Sequence, residues 1–253
     1  NFSGLKDNFI SHLVELRTRL VRASAVVLVV FIVLFAIWPG AAAIYDILAK
    51  PMMNALPEGS KMIATGVITP FMVPMKVTMM VALMISLPWV LYQAWAFVAP
   101  GLYMHEKRLV APLIVSSSVL FLLGVGFCYY FVFGTVFKFI NDFAPKSISV
   151  APDIENYLDF VITMCLAFGI TFEVPVVVIV LVRMGLVTVE KLKEIRPYVI
   201  VGAFVIAAVV TPPDIMSQLF LAVPLCLLYE IGLILAPLFE RVTKAPEDTP
   251  DSV

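Results

Sequence analysis

Charge is scarce in this chain. Asp, Glu, Lys and Arg make up 14% of its 253 residues, 17 basic against 18 acidic, for a net charge of -1. Without a positive excess or a basic block there is no electrostatic footprint for nucleic acid. Histidine is rarer still: His12 and His105 stand far apart, and the run MHEKR lacks the second histidine of a zinc-binding HExxH helix, so neither a metal nor a cofactor is expected. No GxxxxGK[ST] loop is present to cradle a nucleotide phosphate, and the chain is not expected to hydrolyse ATP or GTP. No GxS motif puts a serine nucleophile inside an apolar run, and Tyr45-Asp46 falls in a connection rather than in a membrane aspartyl dyad. Enzymatic activity is therefore not expected. The cysteines, Cys128, Cys165 and Cys226, are odd in number, lie in apolar runs and form no CxxC spacing, which suits packing residues.

Apolar residues dominate instead, at 62% of the chain, with a mean hydropathy of +1.03. That content fits lipid as the solvent. A bilayer crossing takes ~20 apolar residues, and runs of that length occupy residues 20–38, 77–98, 109–137 and 157–182. The last apolar stretch is interrupted by Thr211, Pro212, Pro213 and Asp214, a sequence that ends a helix, so it reads as a hairpin with arms 198–210 and 215–239. The first arm rises only ~20 Å at 1.5 Å per residue, against a hydrocarbon core of ~30 Å. It either stops short of the outer surface or thins the bilayer around it. The expected fold is an all-α polytopic membrane protein with six spans, the last two short.

Basic residues alternate between connections. The N-terminal segment carries Lys6, Arg17, Arg19 and Arg22, the second connection Lys107 and Arg108, the fourth Arg183, Lys191, Lys193 and Arg196, and the tail Arg241 and Lys244. The first connection offers only Lys50 and Lys61, the third Lys138 and Lys146, and the hairpin turn none. By the positive-inside rule both termini face the cytoplasm. Lys76, at the outer start of the second span, snorkels to the interface.

In the first 20 residues Phe2, Leu5, Phe9, Leu13, Leu16 and Leu20 recur at helical spacing, which predicts an interfacial helix over 2–19 leading into the first span. No cleaved signal peptide is expected there, because the charges are spread along the stretch. Ile44, Ile47, Leu48 and Met52 predict a short helix flattened on the outer surface near Pro51. Residues 1–240 read as a single membrane domain without an internal repeat, and 241–253, rich in Pro, Asp and Glu, as a disordered cytoplasmic tail.

A few polar groups need an explanation. Glu173, in FGITFEVP, falls well inside the fourth span, where an ionised carboxylate costs ~2.5 kcal/mol or more on insertion scales. Gly169 allows a neighbour close, and Pro175 frees a carbonyl, so the helix is expected to bend around a polar cavity. Two readings stand: a protonated Glu173 hydrogen-bonded to another helix, or a residue lining the path of a substrate segment or a proton. Glu15 and Glu106 both fall at the cytoplasmic interface. Solvated local salt bridges, to Arg19 for Glu15 and to Lys107 or Arg108 for Glu106, are the ordinary reading. If the two segments meet, each carboxylate is suited to a planar guanidinium in a bidentate fork, which fits a ligand with paired arginines. At the hairpin turn Asp214 reads as a helix N-cap, and Gln218 as an amide seeking a bond from another helix. Glu230 falls deeper, toward the inner interface.

Four motifs in order, HLVELRTRL (12–20), WAFVAPGLYMHEKR (95–108), FGITFEVP (168–175) and RPYVIVGAFVIAAVVTPPDIMSQ (196–218), resemble the TatC family over nearly the whole chain. TatC is the receptor subunit of the twin-arginine protein translocase. The resemblance implies a cupped, six-helix protein of the bacterial cytoplasmic (inner) membrane that receives folded cargo proteins through Arg-Arg signal peptides. It implies that Glu15 and Glu106 take the paired arginines, that Arg17, Phe97 and Pro51 matter for receptor function, and that Glu173 is the buried acid of the concave face. It further implies that Thr211 and Gln218 form the outer polar site for the single-span partners TatA and TatB, with Asp214 as the turn aspartate. Other TatC copies and membrane lipid complete the expected partners, and the protonmotive force the energy source. Thr18 departs from the pattern, standing where some members carry a basic residue. A proton-coupled small-molecule transporter, with Glu173 as its relay, is the alternative.

Overall fold

The structure is a computed structural model that describes residues 2–36, 40–56, 58–59, 61–149 and 151–239. The predicted tail, with Arg241 and Lys244, and the end of the first span at 37–38 lie outside the described residues.

Helix α1 (Phe2–Ala36) runs unbroken for 35 residues. The sequence explains this: after Gly4 it contains neither glycine nor proline, so nothing separates the amphipathic part from the apolar part. The interfacial segment expected at 2–19 and the first span are thus one helix. Gly40, at φ 91°, turns the chain into α2 (Ala41–Ala55), the short helix expected around Pro51.

The second predicted span is two helices, α3 (Thr69–Ile85) and α4 (Leu87–Val98), whose axes differ by 65° at Ser86. Pro88, in the first turn of α4, has no N–H to continue the ladder and biases Leu87 away from helical geometry, so the bend falls just before it. Ala99 and Pro100 then break the chain again, and α5 (Pro100–His105) carries it to Glu106.

The third span extends well beyond 109–137. Helix α6 (Lys107–Phe127), a π-helical turn at Cys128–Val132 and α7 (Phe133–Phe143) form one run of 37 residues. The fourth consists of α8 (Ile154–Thr171) and α9 (Val174–Arg183), which part at Phe172 and Glu173, just ahead of Pro175. Helix α10 (Val189–Glu194) precedes the hairpin of α11 (Arg196–Val210) and α12 (Ile215–Leu235), followed by a 3-10 turn at Ala236–Leu238.

Only one arm of that hairpin is short. Helix α11 has 15 residues, or ~22 Å of rise, whereas the run from Ile215 to Leu238 has 24 residues and is long enough to cross a bilayer. The expectation of two short final spans is corrected accordingly. Among the described residues four helices have the length and composition of membrane spans, and the bent α3–α4 pair makes a fifth.

Helix α1 packs on α3 and α4, α6 on α8, α2 on α3 and α7, and α12 on α9 and α11. Phe133, Val161, Met164, Phe168 and Leu221 centre the largest core. A second, around Trp95, Leu102, Leu113, Val176 and Val180, supports the chain turns at Ala99 and Glu106. The outer faces are apolar: Val29, Val201 and Val209 are 61%, 64% and 80% exposed, as expected of helices solvated by lipid rather than water. At the opposite end from Glu106, Ile63 bonds to the backbone at Pro152 and Ile154, tying the first and third connections together.

Candidate functional site

Helices α1 and α4 run antiparallel, and their polar residues meet in successive rungs. His12 stacks on Phe97 with ring centroids 4.3 Å apart. About two turns on along α1, Arg19 donates from Nε to Glu15 at 3.0 Å and from a terminal nitrogen to Gln93 at 3.2 Å. Beyond it Trp89 donates its indole N–H to the Arg22 carbonyl. Gln93 is buried and Glu15 half-exposed, so the Arg19 guanidinium bridges the Glu15 carboxylate to a buried amide of α4. The local Glu15–Arg19 pair expected from i,i+4 spacing is present; its second anchor, Gln93, carries no such spacing signal. Arg17 is exposed.

Helix α4 ends at Ala99, and the short α5 follows. Tyr103 on α5 donates its hydroxyl to the Tyr92 carbonyl at 3.0 Å. Burial, with Tyr92 beside it, raises the Tyr103 phenol to about 12 although Arg19 acts in the opposite direction. Tyr103 is thus a neutral hydrogen-bond donor across the physiological range.

Glu106 sits at the junction of α5 and α6, and its carboxylate is gripped by Arg183, the last residue of α9. Nε donates to Oε2 and a terminal nitrogen to Oε1, both at 3.0 Å. The remaining terminal nitrogen donates to the Phe239 carbonyl at 3.1 Å. A cation at this helix end is also favoured by the partial negative charge of the last carbonyls. The Glu106 side chain is only 13% exposed, so the expected solvated pairing with Lys107 or Arg108 gives way to a sheltered bidentate fork. A crevice of ≈ 120 Å³, lined by Gly101, Leu102, His105, Met184 and the pair itself, opens onto it. Each carboxylate, Glu15 and Glu106, is therefore engaged by its own arginine of this chain.

Glu173 is buried at the α8–α9 break, and among the described residues neither carboxylate oxygen has a hydrogen-bond partner. The groove it lines, ≈ 260 Å³, is walled by Leu91, Trp95, Val98, Val180 and Leu181. The polar cavity expected around this residue is thus an apolar groove with one carboxyl in its wall. Gly169 admits a close neighbour, as expected, since the Phe121 ring occupies the space its side chain would take. Trp95, in the same groove, is fixed by its indole N–H bond to Ser117 at 3.0 Å.

At the hairpin turn Asp214 caps α12, accepting from the Ser217 amide at 2.7 Å, as its position predicts. Thr211 is buried and donates to the Ala207 carbonyl, while the half-exposed Gln218 donates to the Phe204 carbonyl of α11 at 3.4 Å. Pro51 lines a separate polar recess with Asn54, Lys138, Asn141 and Asp142, formed by α2 and α7. Lys76 pairs with Asp159 at 3.6 Å, and Glu230 with Arg196 at 2.8 Å. Cys128 and Cys165 are buried and unbonded, Cys226 half-buried and unbonded.

A family model for "Sec-independent protein translocase protein (TatC)" matches residues 11–224. The chain belongs to the TatC family. It is 48% identical to the Sec-independent protein translocase protein TatC of Haemophilus influenzae over 231 residues, covering 91% of this chain and 89% of that one. Its identity to the Escherichia coli K12 protein of the same description is 46% over 223 residues, covering 88% of this chain and 85% of that one. A crystal structure of a twin-arginine translocase receptor TatC superposes with a TM-score of 0.77 at 38% identity, covering 91% of this chain and all of that one (100%). The apolar, all-helical architecture is that of a membrane protein in a non-enzymatic transport family.

Proposed function

We propose that this TatC-family chain is the receptor and core subunit of a twin-arginine translocase, taking Arg-Arg signal peptides of folded cargo at the cytoplasmic face. The observation that carries this reading is the fork on Glu106. A sheltered carboxylate accepting a guanidinium through two bonds of 3.0 Å has the geometry that a signal arginine needs. Glu15, on the neighbouring α1–α4 rungs with Phe97 and Arg17, takes the second arginine. The apolar segment of the peptide lies in the groove beside Glu173, whose walls match its chemistry.

In this reading 1–240 is a single domain of six spans, formed by α1, α3–α4, α6–α7, α8–α9, α11 and α12. It sits in the bacterial inner membrane with both termini cytoplasmic. The clustering of Lys107, Arg108, Lys191, Lys193 and Arg196 in the second and fourth connections supports that orientation. The short α11 thins the bilayer at its far end, where Gln218, beside the buried Thr211, contacts TatB and TatA. Pro51 acts from the same outer side, and the protonmotive force drives transport through the assembled complex of these partners and other TatC copies.

The test is site-specific crosslinking. Glu15→Ala together with Glu106→Ala abolishes crosslinking of an Arg-Arg signal peptide while membrane insertion persists; undiminished crosslinking would sink the assignment. Robust counterflow of a small solute by the purified chain would favour the transporter with Glu173 as relay.

A further inference from the structure

Resting on the assignment of Glu106 to a signal arginine, we propose that Arg183 is an internal competitor at that site: a guanidinium of this chain that must be exchanged for the incoming one. The fork is complete in the chain alone, with both Glu106 oxygens engaged at 3.0 Å and the third Arg183 nitrogen held by the Phe239 carbonyl. Docking at Glu106 is consequently a replacement and not an addition. The crevice along Gly101, Leu102, His105 and Met184 supplies the path by which a second side chain reaches the pair.

Exchange sets a threshold for binding in physical terms. An incoming arginine restores both bonds to the carboxylate, so the lost and gained interactions match in kind. An incoming lysine offers a compact ammonium without the planar fork, and it leaves one oxygen of a sheltered carboxylate poorly satisfied. Against a bare carboxylate, lysine would still gain a favourable charge pair. Against a carboxylate already held by Arg183 it must first displace a better partner. Displacement of Arg183 therefore weakens both ligands by the same factor and leaves the ratio between them to the fork itself, so the weaker lysine ligand is the one pushed out of the working range. Its withdrawal takes only a change of side-chain rotamer at the end of α9, with no helix hydrogen bond broken.

The test measures binding of synthetic Arg-Arg and Lys-Lys signal peptides to the full chain in lipid nanodiscs, for wild type, Arg183→Gln, Arg183→Lys and Glu106→Gln. With Arg183→Gln both peptides bind more tightly, each by about tenfold, equivalent to ~1.4 kcal/mol, and the ratio between them is unchanged. Arg183→Lys, which keeps the charge but not the fork, falls between wild type and Arg183→Gln, and it serves alone if the glutamine variant does not fold. Unchanged affinity for both peptides, or loss of Arg-Arg binding, in folded Arg183 variants overturns the exchange while Glu106→Gln still abolishes binding. If Glu106→Gln binds the Arg-Arg peptide as wild type does, the docking assignment itself fails.

Discussion

Gly124 on α6 lies against the backbone of Phe168 on α8: a β-carbon at Gly124 would stand 2.5 Å from the Phe168 carbonyl oxygen and 2.9 Å from its carbonyl carbon. No rotamer change relieves a contact with backbone, so the two helices must separate to admit even a methyl group. Phe168 is fully buried in the main core, and separation there loosens the packing around Met164 and Val161. Gly124→Ala is expected to destabilise the protein by ~1–3 kcal/mol, read as a lower melting temperature in detergent. Gly126→Ala and Gly134→Ala, where nothing lies within 4 Å, are the controls and should melt like the wild type or slightly higher.

Asp214 makes a narrower prediction. Its carboxylate accepts the Ser217 amide at 2.7 Å and so satisfies a donor that α12 cannot. Asp214→Ala should cost ~0.5–2 kcal/mol, while Asp214→Asn, which keeps an accepting oxygen, should retain most of the stability. Thermal melts of the two variants separate the cap from the charge. If asparagine and alanine destabilise equally, charge rather than the capping bond is what Asp214 contributes.

How far the sequence exposes these features depends on the range of the signal. Long apolar runs are local and additive, so the regions of the first four spans, the hairpin and its cap at Asp214 are readable from composition and turn chemistry. The 65° bend at Ser86 is less so, because proline is common in membrane helices and Pro88 alone does not fix an angle. The unbroken α1 was legible in principle, since the absence of glycine and proline after Gly4 outweighs the change from amphipathic to apolar pattern. The grip of Arg183 on Glu106 was not legible. The two residues are 77 positions apart, and no spacing rule links the end of one helix to the turn before another. Sequence placed Arg183 only among the charges that orient the chain. The only hint was that a basic residue at the edge of an apolar run needs a partner, and Glu106 is one of several acids at that interface.

Glu173 joins the buried core to the proposed ligand groove, and its two roles predict opposite responses to one substitution. Both oxygens lie buried without a well-formed hydrogen bond among the described residues, Ser117 being the polar side chain beside them, so the carboxyl is poorly satisfied in the fold. Leucine is close in volume and suits a wall already made of Leu91, Val98, Val180 and Leu181. Glu173→Leu is therefore expected to raise stability by ~1–3 kcal/mol, the cost of an unsatisfied buried polar group. The same change removes the carboxyl set in that apolar wall, and crosslinking of the signal peptide's apolar segment should fall. Melting and crosslinking measured on one preparation decide the matter. A higher melting temperature with weaker crosslinking marks a residue kept for its ligand at the expense of the fold. A lower melting temperature would mean instead that the carboxyl is held by a partner in the folded protein.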